Sequence, residues 1–192
     1  MMRAANLTFL FTDLVGSTRL IDRLGDHAGE QVMRGHFAML RSAISQHDGH
    51  VVKTLGDGIM AIFRRPDDGV SCSIAMQHGV IRHNGANPDV ELAMRVGVHC
   101  GPAIRMAGDY YGIPVNIAKR LCDHCTGGQV LVSEAVRSGV QSDRPLDFLE
   151  IGGLLFKGLS APVSTVELLW KKGAGPRARS AGSPLFCGPG GS

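Results

Sequence analysis

HVVKTLGDGIMAIF (residues 50–63) decides the fold. Two runs of β-forming residues, 50–55 and 58–63, flank Gly56-Asp57. Glycine and aspartate tolerate the positive φ of a tight turn, so the stretch reads as a β-hairpin. Upstream, residues 28–47 place Met33, Phe37, Leu40 and Ile44 at intervals of four, three and four, which is one face of a long helix. Farther upstream, LTFLFT (7–12) is a short apolar run and reads as a buried strand ending at Asp13. Gly16, Ser17 and Thr18 mark a turn into a helix, because serine and threonine cap helix starts. Downstream, the pattern predicts a helix over 68–84, a strand over 90–99 broken by Gly101-Pro102, a short strand over 103–106 and a helix over 113–124. Strands over 129–132, 146–150 and 162–168, with a short helix near 133–138, complete the pattern. Strands pairing and alternating with helices predict an α+β sandwich: one mainly antiparallel sheet covered by helices.

Composition sets the outer bounds. The chain has 192 residues, enough for one domain with a sizeable core. Residues 1–170 are expected to form that domain. From Lys171 to Ser192 there are six glycines and three prolines, and no apolar period survives, so 171–192 is expected to be a flexible tail. The net charge of +3, from 20 basic and 17 acidic residues, is too balanced for a protein that coats nucleic acid. Clustered basic residues and aromatic stacking platforms are also missing, so no nucleic-acid partner is expected. No apolar run approaches the ~18 residues of a membrane span, and the N-terminal stretch meets Asp13 too soon for a signal peptide. The five cysteines are odd in number and irregular in spacing, which argues against a disulfide framework and for a reducing, cytoplasmic setting. Cys122-Asp-His-Cys125 resembles half of a zinc site, but no second pair stands at a usable distance and a helix carries the segment, so partly buried thiols are expected.

Two aspartates stand out for chemistry. Asp13 ends a buried strand and Asp57 sits in the hairpin turn. If the first strand lies beside the hairpin, both carboxylates converge at one edge of the sheet. Two converging carboxylates suit Mg²⁺ or Mn²⁺, which want hard oxygens and keep positions open for phosphate. Taken singly, Asp57 is a turn residue and Asp13 a helix cap. The glycine-bearing turn at 14–18 shifts that balance, because backbone N–H groups at a helix N-terminus cradle phosphate. Lys53 stands in an otherwise apolar strand, where its head must reach a partner or solvent. Asn116 and Arg120 are four apart and share a helix face.

The constellation resembles the class III nucleotidyl cyclase catalytic domain, the family of adenylyl and guanylyl cyclases. The matching stretches are FTDLVGST (11–18), VVKTLGDGIMAIF (51–63), MRVGVHCG (94–101) and GDYYGIPVNIAKRL (108–121). The resemblance implies a ferredoxin-like cyclase sandwich and two Mg²⁺ or Mn²⁺ ions per active site. It implies that Asp13 and Asp57 hold metal, with a backbone carbonyl of Leu14 beside them. Lys53 and Asp109 would read adenine, Asn116 would orient the ribose and Arg120 would stabilise the transition state. Arg95 and Lys157 fall near positions that hold triphosphate, and Gly16, Ser17 and Thr18 lie on the phosphate turn. A head-to-tail homodimer with sites at its interface is implied as well. The interval from Lys53 to Asp109, 109 − 53 = 56 residues, is short for the family, which points to trimmed peripheral structure and weak dimerisation.

The expected function is therefore an adenylyl cyclase converting ATP to 3′,5′-cyclic AMP and pyrophosphate. The alternative is a catalytically silent module of the same fold that binds nucleotide or a partner.

Overall fold

A computed structural model describes residues 5–142 and 145–171. Its elements run β1 (Ala5–Leu14), α1 (Ser17–Leu24), α2 (Asp26–Gln46), β2 (His50–Leu55), β3 (Gly58–Phe63), α3 (Pro66–Ala86), β4 (Met94–Met106), β5 (Asp109–Tyr111), α4 (Ile113–His124), β6 (Val130–Ser133), α5 (Glu134–Gly139), β7 (Phe148–Leu154) and β8 (Val163–Leu168). One sheet has the order β2-β3-β1-β4-β6-β8-β7, and β5 pairs with β4 beside it. Every pairing is antiparallel except β4 with β6. This is the α+β sandwich the sequence predicts.

Alternation along β1 explains the layering. Leu10 and Leu14 join a core that includes Leu40 and Ile44 of α2 and Val70, Met76 and Val80 of α3. Phe9 and Phe11 point to the opposite face, where they pack with Met60 and with Ala118 and Cys122 of α4. A third cluster joins Ile117 and Leu121 of α4 to Leu131 and Phe156. Helix α4 lies directly on β4: a Cβ placed on Gly97 would meet the Cys122 backbone nitrogen at 2.1 Å, so only glycine fits there.

Several boundaries differ from the sequence reading. Gly101-Pro102 does not break the strand; β4 runs through it, with Gly101 opposite Leu7 and Pro102 opposite Asn6. β6 pairs only with residues 96–98 of β4, so the proline falls where the strand is paired on one side, the setting that tolerates a missing N–H. Residues 90–93 are not strand. The Asn84 side chain accepts from Leu92 N and donates to Leu92 O, both at 2.9 Å, taking the place of a strand neighbour. Gly16, not Ser17 or Thr18, is the N-cap of α1, with φ 72° and no side-chain cap. The predicted turn leads into α1 at Ser17, and Gly25 separates it from α2, which begins at Asp26, two residues before the predicted start of the long helix. β5 went unpredicted. The expected tail lies, but for Lys171, outside the described residues.

Candidate functional site

Asp13, next to last in β1, stands directly opposite Arg95 of β4. The two side chains form an ion pair, with Arg95 Nη2 donating to Asp13 Oδ2, and each is about a quarter exposed. Burial works to lower the Arg95 pKa, but the hydrogen bond and charge of Asp13 outweigh it and hold the guanidinium above its ordinary value. Arg95 Nε is buried without a partner, and Nη1 reaches the Asp123 carbonyl of α4 at 3.5 Å.

Asp57 sits half-buried in the β2–β3 turn. That turn is pressed against the end of β1. A Cβ on Gly58 would lie 1.9 Å from the Thr12 carbonyl oxygen and 3.4 Å from Asp13 Cα, and Ile59 N donates to Thr12 Oγ1 at 3.0 Å. The glycine after Asp57 is what lets the turn close onto the strand. Two carboxylates thus stand at one end of the sheet. No group of three His, Cys, Asp or Glu side chains suited to a metal occurs among the described residues. Two hard carboxylates fit Mg²⁺ or Mn²⁺ when phosphate oxygens and backbone carbonyls supply the other ligands.

Leu14 is buried opposite Met94, and Val15 N donates to Ala93 O at 2.8 Å, fixing the exit of the strand. Gly16 then turns the chain into α1, whose first turn holds no acidic residue and no side-chain cap. Its free N–H groups and the positive end of the helix dipole suit an anion there. Ser17 is half-buried and Thr18 exposed in that turn.

Lys53 and Asp109 meet across 56 residues of sequence, Nζ to Oδ2 at 2.5 Å. The β4–β5 hairpin delivers Asp109, which also accepts from Tyr110 N at 2.8 Å. These two hydrogen bonds, that of Lys53 foremost, hold the Asp109 carboxyl below its ordinary pKa. Asn116 and Arg120 lie on the exposed face of α4, while Ile117, Ala118, Leu121 and Cys122 face inward. Arg120 makes no ion pair among the described residues. Lys157 is exposed in the turn after Phe156, and Phe156 packs on α4 through Ile117, Leu121 and an edge-on contact with His124 at 6.2 Å. Within one chain the residues therefore fall into three groups. Asp13, Leu14, Gly16, Ser17, Thr18, Asp57 and Arg95 gather at the end of β1. Lys53 and Asp109 pair with each other, and Asn116, Arg120 and Lys157 are carried on or beside α4.

Cys122 and Cys125 are buried thiols. Cys125 donates to Val96 O at 3.1 Å, and burial pushes its pKa up to about 12 and that of Cys122 higher still. Thiols in that state are poor metal ligands. Two features escaped the sequence reading. One is His36, buried in the apolar stripe of α2 with neither ring nitrogen hydrogen-bonded. The other is an exposed apolar patch formed by Ile104, Met106, Tyr111 and Ile113 on the β4–β5 hairpin and the start of α4.

Comparison with known proteins places this geometry. The family model described as the adenylate and guanylate cyclase catalytic domain matches residues 1–166. The serine/threonine-protein kinase pkn2 of Myxococcus xanthus is 31% identical over 70% of this chain and 16% of its own length. The putative adenylate cyclase 3 of Rhizobium meliloti is 29% identical over 88% of this chain and 28% of its own length. The chain thus spans well under half the length of these relatives. Among solved structures, the adenylyl cyclase CyaB from P. aeruginosa superposes with a TM-score of 0.79 at 23% identity, covering 95% of this chain and 100% of that one, a likeness of fold. With strand order, paired aspartates and family match in agreement, the chain belongs to the adenylate and guanylate cyclase catalytic domain family.

Proposed function

We propose that residues 1–170 are the catalytic unit of an adenylyl cyclase that converts ATP to 3′,5′-cyclic AMP and pyrophosphate. The observation that carries the choice of adenine is the Lys53–Asp109 pair. Adenine presents an acceptor at N1 and a donor at N6, whereas guanine presents a donor at N1 and an acceptor at O6. Lys53 donates and Asp109 accepts, which matches adenine with Lys53 at N1 and Asp109 at N6; guanine carries the same two kinds of group in exchanged places, so that placement opposes it.

In the reaction the ribose 3′-oxygen attacks the α-phosphorus, the bond from that phosphorus to the bridging oxygen breaks, pyrophosphate leaves and the hydroxyl proton passes to water. Asp13 and Asp57, with the Leu14 carbonyl, would hold two Mg²⁺ or Mn²⁺ ions. Such ions, when bound, lower the pKa of a hydroxyl and neutralise charge on leaving phosphates. The free N–H groups at Gly16, Ser17 and Thr18 receive phosphate oxygens. Arg95 exchanges its hold on Asp13 for the triphosphate, and Lys157 adds a second cation there. Asn116 orients the ribose. Arg120, unpaired and exposed on α4, meets the charge that grows on the α-phosphate, where a guanidinium is worth several kcal/mol once water is excluded.

A second copy of the chain supplies that exclusion. The exposed patch of Ile104, Met106, Tyr111 and Ile113 adjoins both Asp109 and the start of α4, as a homodimer with sites at its interface requires. Asp13 and Asp57 of one copy would face Lys53, Asp109, Asn116 and Arg120 of the other. Incubation with Mn²⁺ and ATP followed by chromatography tests the reaction: cyclic AMP and pyrophosphate in equal amounts are expected, and ADP or no product would refute it.

A further inference from the structure

A cavity of about 150 Å³ lies between α3, the start of β4 and the Trp170–Lys171 segment that follows β8. Helix α3 covers the face of the sheet opposite α4, and none of the residues assigned above to metal, base, ribose or phosphate lines the cavity. Val80 and Ile81 of α3, Leu92 and Trp170 supply its apolar walls. A cavity of this size takes one six-membered aromatic ring. Trp170 offers such a ring a flat surface that is already held in place. Its Nε1 donates to the Gly128 carbonyl at 2.9 Å, and His78 packs on it edge-on with centroids 5.5 Å apart. A wall fixed before binding costs a ligand little ordering.

Two polar groups decide what that ring must carry. Gln77 forms the floor and is 1% exposed. Its Nε2 donates to the Met94 carbonyl at 3.1 Å and to the Gln129 carbonyl at 3.5 Å. Two carbonyls at one end of the amide fix its orientation, since only the nitrogen can donate. Oε1 is therefore turned away from them, and it accepts from no donor among the described residues. Asn84, in the same lining, is the contrast: Leu92 N and O use both ends of its amide, each at 2.9 Å. A ring without a donor would strip Gln77 Oε1 of water and return nothing, so the floor favours an O–H or N–H. Lys171 stands exposed at the mouth, with Nζ 5.0 Å from the Trp170 ring centroid. It is the only charged residue among the described residues of the lining, and no carboxylate among the described residues pairs with it. An ammonium with no counter-charge suits an anionic group at the mouth. We propose that this cavity binds a small aromatic acid: one ring against Trp170, an O–H or N–H donated to Gln77 Oε1, and a carboxylate held by Lys171.

Trp170 is the only tryptophan of the chain, so its indole N–H gives a single resonance that reports on this wall. The full chain, isotope-labelled and free of nucleotide and metal, is titrated with para-hydroxybenzoate and followed by proton–nitrogen correlation spectra. The indole resonance should shift and saturate with a Kd near or below about 1 mM, in keeping with ten non-hydrogen atoms. Benzoate lacks the donor and should bind about tenfold more weakly; phenol lacks the carboxylate and should bind about fivefold more weakly. Lys171→Glu changes an exposed side chain. It should weaken para-hydroxybenzoate by about fivefold or more and leave phenol within about twofold of wild type. A Trp170 resonance that fails to saturate by about 10 mM para-hydroxybenzoate, whatever fills the cavity instead, overturns the proposal. Benzoate binding as tightly as para-hydroxybenzoate overturns it too, as does a Lys171→Glu variant that binds the acid like wild type. The comparison of the three compounds in wild type needs no variant, so it decides alone if Lys171→Glu weakens phenol as much as the acid.

Discussion

Lys53 and Asp109 are 2.5 Å apart, although one belongs to the first hairpin and the other to a three-residue strand that follows β4. The pair is a donor and an acceptor held side by side at the edge of the α4 face. Its removal should therefore be read in base choice rather than in folding. Lys53→Ala and Asp109→Ala are each expected to lower kcat/KM for ATP by about 10²-fold while narrowing the gap to GTP, because a base left with unpaired edges loses a few kcal/mol. Steady-state kinetics with both nucleotides checks this.

The same pair predicts a pH dependence of stability. Asp109 has a depressed pKa in the folded chain, first through Lys53 and then through Tyr110 N–H. The unfolded chain takes up the proton first, so the contribution is present above the ordinary carboxylate value and is lost as pH falls through the folded value. Lys53 is 40% exposed, which limits the gain to about 1 kcal/mol or less. Urea titrations of wild type and Lys53→Met should differ near neutrality and converge in acid.

Asp13→Ala and Asp57→Ala each remove half of the carboxylate set. Activity should fall by at least ~10³-fold, with the circular dichroism spectrum retained, since both residues sit at strand ends. Retention of a tenth of the wild-type rate would contradict the metal assignment.

A shared site makes a sharper demand. Asp13→Ala and Arg120→Ala, each inactive alone, should complement when mixed. At equal mixing about half the dimers are hybrid and each hybrid keeps one intact site of two, so roughly a quarter of wild-type activity returns. Ile113→Asp, in the exposed apolar patch, should make specific activity fall on dilution at concentrations where wild type is constant.

How far the sequence could be read depended on the range of the interaction. The 50–63 hairpin and the face of α4 were legible because turn chemistry and helical period are local. Asp13 and Asp57 were legible as an edge pair because each follows or sits in a signal of its own. Four local readings failed for non-local reasons. Pro102 stayed in a strand because β1 pairs with it. Residues 90–93 left the strand because Asn84 took their backbone. β5 is too short to show a period and exists through its pairing with β4. His36 is polar at a core position, which the helical period of α2 alone does not announce.

The account stands most directly on nucleotide competition. Wild-type chain, Mn²⁺ and equal concentrations of ATP and GTP are combined, and both cyclic products are separated and quantified over time. The donor–acceptor arrangement of Lys53 and Asp109 predicts cyclic AMP in excess of cyclic GMP by about two decades or more. Comparable yields of the two, or no cyclic product with either Mn²⁺ or Mg²⁺, would contradict it.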